Sequence, residues 1–135
     1  MTRSEADPAN KSFTCIVIDD SDFARMNLGK IVTRIGGEVV GEAKDGQDAL
    51  GLYKEHSPDI VLLDITMPVV DGLEALGNIM EHDKDASIII VSSLGNKEMI
   101  KEALKKGAKQ FITKPFQPDH VAMIIRSVAG VGEDG

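Results

Sequence analysis

A chain of 135 residues, 42% hydrophobic and 27% charged, has the size and composition of one globular domain built around one core. A formal net charge of -7 sets the molecule against phosphate backbones and anionic lipid surfaces, which argues against direct nucleic-acid binding. Residues 1–12 mix polar and charged types without an apolar run, so they supply neither a secretory core nor a membrane span, and no membrane insertion is expected.

Residues 1–12 read as a loose tail, 13–129 as the folded domain, and 130–135 as a second polar tail without a targeting or lipidation motif. The first apolar run, Phe13–Ile18, has strand length and holds the one cysteine, Cys15. A lone cysteine in such a run is expected to be a small core residue in a reducing, cytoplasmic setting. Asp19 and Asp20 follow it. Leu28, Ile31, Val32 and Ile35 then recur in steps of three and four, the signature of one buried helix face. Gly36 and Gly37 stop that helix, and a strand is expected over 38–43.

A shorter helix carries Ala49, Leu50 and Tyr53 and ends at Ser57 and Pro58. The next strand, Ile60–Leu63, is apolar on both faces and is followed by Asp64, Ile65, Thr66, Met67 and Pro68. Asp71 and Gly72 make a turn into a helix with Leu73, Leu76, Ile79 and Met80. A fourth strand over 87–91 ends at Ser92 and Ser93, and its helix buries Ile100, Ala103, Leu104 and Gly107. The fifth strand, Gln110–Thr113, runs into Lys114 and Pro115, and the last helix shows Val121, Ile124, Ile125 and Val128. Five strand-helix units with doubly apolar strands predict an α/β fold, an open parallel sheet with five helices on both faces. Ligands of such sheets sit beyond the carboxyl ends of the strands, where strand order reverses.

Those ends carry Asp19 and Asp20, Asp64, Ser92, and Lys114. No Ser-His-Asp arrangement and no glycine-rich phosphate loop is visible. His56, His82 and His120 fall in predicted helices or their ends, where a solvated histidine is the simpler reading. Three converging carboxylates repel one another unless a hard cation sits among them, and magnesium suits an all-oxygen, partly hydrated site. A nearby lysine off the metal then offers a point charge to a phosphate. Singly, each residue has a plainer role. Asp20, Ser21 or Asp22 reads as a helix cap, Lys114 as a solvated lysine, and Ser92 says little. Asp64 is harder to explain away, because it ends a wholly apolar strand.

In these motifs the sequence resembles the response-regulator receiver family. The resemblance runs from Cys15 to Val128 through Val17 to Asp20, the run Asp64-x-x-Met67-Pro68-x-x-Asp71-Gly72, Val91 to Ser93, Gly107-Ala108 and Lys114 to Phe116. It implies a flavodoxin-like receiver with strand order 2-1-3-4-5. It also implies that Asp64 takes a phosphoryl group from a histidine kinase, with Mg2+ held by Asp20, Asp64 and the Thr66 carbonyl, and by Asp19 through water. Lys114, followed by a cis proline bond, would hold a phosphoryl oxygen, Ser92 would bond the phosphoryl group, and Phe111 would move inward with Ser92. Phe111 reads equally as plain core. Thr66 and Leu94 would flank the path of the hydrolytic water.

On this reading the protein is not an enzyme acting on a separate substrate. It assists its own phosphorylation and dephosphorylation and switches protein contacts, with no output domain of its own. The likeness leans towards chemotaxis through Phe23, Ala24 and Arg25 and through Gly41 to Ala43. Partners implied are the kinase, a downstream target such as a flagellar motor switch, and a phosphatase. Lys97, Lys101 and Lys105 form a basic stripe on the fourth helix, which reads as a solvated face or as a dock for an acidic segment. Two rivals stand. A phosphate sink or relay intermediate would keep the chemistry without an output. A haloacid-dehalogenase-type phosphatase would need an aspartate at the position of Thr66, and a cap domain.

Overall fold

The computed structural model describes residues 13–66, 72–93 and 95–130. Both expected tails, apart from Gly130, lie outside these residues, as do Met67, Pro68, Asp71 and Leu94. Five strands, β1 (Phe13–Ile18), β2 (Gly37–Ala43), β3 (Ile60–Leu63), β4 (Ile88–Ser92) and β5 (Gln110–Thr113), alternate with five helices. The helices are α1 (Asp22–Arg34), α2 (Ala49–His56), α3 (Gly72–His82), α4 (Lys97–Lys105) and α5 (Pro118–Ala129). All pairings are parallel and the order is β2-β1-β3-β4-β5, as expected.

Strand alternation distributes the core. Cys15, Val17, Ile60, Leu62, Ile89 and Val91 face α1 and α5, where Leu28, Ile31, Val32, Val121 and Ile125 meet them. Their neighbours Ile16, Ile18, Val61, Leu63, Ile88 and Ile90 face α2, α3 and α4 through Tyr53, Leu76, Ile79 and Ala103. Cys15 is fully buried, and burial pushes its thiol well above the ordinary range, as befits a core residue. Tyr53 closes the α2–α3 side by donating its hydroxyl to Asp83 Oδ2 at 2.7 Å.

Local chemistry sets the helix starts. Ser21 caps α1 by accepting from the Ala24 N–H at 3.1 Å, and Asn96 caps α4 by accepting from Met99 N–H at 2.9 Å. Pro118 opens α5, where its missing N–H costs nothing. Three expectations need correcting. β2 starts one residue earlier, because Gly37 pairs with Phe13. β4 runs from Ile88 to Ser92, not over 87–91, because Ser92 pairs with Thr113 of β5. Leu104, expected on the buried face of α4, is 44% exposed, since this short helix meets the core through Ala103.

Candidate functional site

The chain leaves β1 towards β2 on one side and later places β3 on the other, so the crevice of the sheet opens between the carboxyl ends of β1 and β3. Asp19 and Asp20 follow β1, and Asp64 follows β3. Backbone bonds fix both turns, with Asp19 N donating to Ala43 O and Asp64 N to Ile18 O, each at 3.0 Å. The strand ends beside them bring Ser92 and Lys114, whose N–H donates to Ser92 O at 2.9 Å.

Asp19, Asp64 and Ser92 are the buried polar or charged residues among those described. Buried carboxylates need partners, and each is supplied. Asp19 accepts from Ser21 N–H at 2.9 Å and from Lys114 Nζ at 2.8 Å. Asp64 Oδ1 accepts from Thr66 N–H at 3.0 Å and from the Thr66 hydroxyl at 2.7 Å, while its Oδ2 lies 3.5 Å from Lys114 Nζ. Asp20 is exposed, and its carboxylate has no hydrogen-bond partner among the described residues.

Carboxylate oxygens of Asp19, Asp20 and Asp64 all lie within 4.8 Å of one another. Burial pushes the Asp19 carboxyl above the usual carboxylate range, and the bonds from Lys114 and Ser21 pull part of the way back. Burial draws Lys114 down, but Asp19 and Asp64 together hold its ammonium above the ordinary lysine range. Three carboxylates facing one ammonium keep an excess of negative charge that a divalent ion would relieve. The donor set fits a hard cation, being all oxygen, with one ligand open to water.

The structure thus brings together Asp19, Asp20, Asp64, Ser92 and Lys114, the residues singled out at the strand ends, with Thr66, which the resemblance implied. The Lys114–Pro115 bond is cis. Ser21 caps α1, so Asp20 does not fill that role. Phe111 stands beside Ile90 and is half-buried against the α2–α3–α4 side of the core. Lys97, Lys101 and Lys105 are all exposed on α4. Two contributors escaped the sequence reading. Arg25 Nη1 donates to the Asp19 carbonyl at 2.6 Å. Gly72 lies so close to Asp64 that an added Cβ would stand 2.8 Å from the Asp64 carbonyl carbon. Arg25, set one turn into a helix that follows an acidic pair, was the available sign of the first.

An α/β receiver-type sheet with three acids and a lysine at its switch point defines the class, and the sequence comparison agrees. The sequence matches the response regulator receiver domain family over residues 15–126, and the chain belongs to that family; it is a two-component response regulator. It is similar to chemotaxis protein CheY of Thermotoga maritima, 47% identical over 84% of this chain and 95% of that protein. CheY of Bacillus subtilis is 48% identical over 78% of this chain and 88% of that one. A chain in the CheX-CheY-BeF3-Mg2+ complex from Borrelia burgdorferi superposes with a TM-score of 0.84 at 44% identity, over 86% of this chain and 88% of that chain.

Proposed function

We propose that this receiver takes a phosphoryl group on Asp64 from the phosphohistidine of a kinase and thereby changes its binding to a chemotaxis target. The observation that carries this reading is Asp64 itself, a buried carboxylate between an ammonium and two further acids at the β1/β3 crevice. Oδ1 is held by two Thr66 donors, which leaves Oδ2, on the Lys114 side, to attack phosphorus. The P–O bond forms as the P–N bond breaks, and its electron pair stays on the departing imidazole.

Asp20, Asp64 and the Thr66 carbonyl would hold Mg2+, with Asp19 contributing through water. When bound, the ion supplies positive charge to the phosphoryl oxygens. Lys114, already poised between Asp19 and Asp64, supplies the other positive charge. Ser92, buried at the end of β4, would bond the phosphoryl group, and Phe111 on β5 would follow it inward. The names of the relatives support chemotaxis, and the CheX-CheY complex supports a protein partner; a motor-switch target and a phosphatase are the further partners of this reading. Among the described residues no helix is long and apolar enough to cross a membrane, which is compatible with work in the cytoplasm.

The protein assists its own modification and is not an enzyme for a separate substrate. Thr66 stands where a dehalogenase-type phosphatase needs its acid, and its hydroxyl is engaged with Asp64. The test is incubation with acetyl phosphate and Mg2+, read by intact mass. One phosphoryl addition is expected in the parent and none in Asp64→Asn. Full addition in that variant would refute the assignment.

A further inference from the structure

Asp20 has an unusual position in this site. Its carboxylate is exposed and has no hydrogen-bond partner among the described residues, so among these residues its own backbone is what aims it. The peptide plane entering Asp20 is the Asp19–Asp20 amide, and the carbonyl of that amide is gripped by Arg25. Nη1 of Arg25 donates to the Asp19 carbonyl at 2.6 Å, Nε donates to Glu42 Oε1 at 3.3 Å, and Nη2 pairs with Asp22. The Arg25 side chain as a whole is 11% exposed.

These three contacts belong to three parts of the fold: the turn after β1, the end of β2, and the first turn of α1. The planar fork lets one side chain hold all three in fixed directions, which a lysine ammonium does not do. The other end of residue 19 is also tied, since Asp19 N donates to Ala43 O beside Glu42. The acidic turn is therefore suspended from the end of β2 at two points, one backbone and one through Arg25.

We infer that Arg25 is a positioning residue for the divalent-cation site, locking the Asp19–Asp20 peptide so that the Asp20 carboxylate meets the ion without having to be ordered by it. This rests on the metal reading given above. Partners one step behind a metal's ligands commonly account for about tenfold or more in affinity, because ligands left loose must be ordered when the ion binds.

The sign of the effect separates this role from plain electrostatics. Arg25 carries a positive charge near the site, so its removal, which also takes their cation from Asp22 and Glu42, would by Coulomb attraction alone tighten the binding of a cation. Loss of positioning weakens it. Mg2+ is titrated calorimetrically into unphosphorylated parent, Arg25→Met and Arg25→Lys, with melting in chelator showing that each variant is folded. Arg25→Met, which keeps the apolar stem, is expected to bind Mg2+ about tenfold more weakly. Arg25→Lys, with the charge but not the fork, should fall between the two. Equal or tighter binding by the Met variant overturns the inference. Should that variant not fold, parent-like affinity in Arg25→Lys overturns it. A parent that binds no Mg2+ would sink the metal reading and this inference with it, whereas a parent that binds beside variants that bind equally well removes Arg25 alone.

Discussion

Gly72→Ala should damage phosphorylation although the substitution adds one methyl group and favours a helix. Gly72 is the first residue of α3 and lies against the backbone that carries Asp64. A Cβ there would sit 2.8 Å from the Asp64 carbonyl carbon and closer still to the Asp64 oxygen and the Ile65 Cα. All three are backbone atoms, so no flexible side chain can give way. The two segments must part by on the order of 1 Å to reach ordinary van der Waals separation. Overpacking of this kind costs about 1–3 kcal/mol. The helix-propensity gain of Ala over Gly, at most about 1 kcal/mol, offsets part of it. A net loss of up to about 2 kcal/mol lowers the melting temperature of a domain this size by up to about 7 °C. Displacing the nucleophile has a larger effect on rate, because a misplacement of about 1 Å can slow a positioned reaction about a hundredfold. Phosphorylation by acetyl phosphate, followed by intact mass, should fall by about tenfold to a hundredfold. Gly77→Ala is the control, since its Cβ would meet nothing within 4 Å in the same helix, and it should leave phosphorylation unchanged and melting unchanged or slightly higher. A Gly72→Ala protein as stable and as reactive as the parent would refute the close-packing argument.

Other expectations follow from the same contacts. Thr66 holds its hydroxyl on Asp64 Oδ1 at 2.7 Å and so has little freedom to orient water. The acyl phosphate should therefore be long-lived, and Thr66→Asn should speed its decay several-fold once donor is removed; unchanged decay would exclude local water positioning. Ser92→Ala and Phe111→Ala should still accept a phosphoryl group but lose much of the change in amide exchange that a phosphoryl analogue causes on α4 and β5, and a full change in both would place the coupling elsewhere. The hydrogen bond from Tyr53, with a second from the Asp85 N–H, holds the Asp83 carboxyl below its ordinary range. A depressed carboxyl stabilises the fold above its unfolded pKa, and that contribution disappears as pH falls through the folded value. Tyr53→Phe should thus melt below the parent at neutral pH, with the gap narrowing once the pH drops below about 4. A gap that widens on acidification would contradict the sign.

Much of this protein could be read from residue order alone, for a physical reason. β3 is apolar at every position, and β1 nearly so, which marks strands covered on both faces, and α1 and α5 show their buried stripes at helical spacing. Once five such units are recognised, every strand end becomes a candidate, and Asp19, Asp20, Asp64, Ser92 and Lys114 stand there. Boundaries set by pairing were less legible. The start of β2 and the last residue of β4 depend on Phe13 and Thr113, which are distant in the chain. The exposure of Leu104 likewise depends on where a short helix lands on the core.

Only the tertiary structure decided the distances. That Lys114 bonds Asp19 at 2.8 Å across 95 residues, and stands farther from Asp64, is a matter of how β1, β3, β4 and β5 are ordered across the sheet. Arg25 carries no sign in the sequence of which carbonyl it grips, because its partners come from the turn after β1, from α1 and from β2. Gly72 reads locally as a turn glycine, yet what excludes a side chain there is the backbone of Asp64 and Ile65, brought against it by packing. Periodicity and residue chemistry identify which groups can act; the close approach of separate segments determines which of them touch.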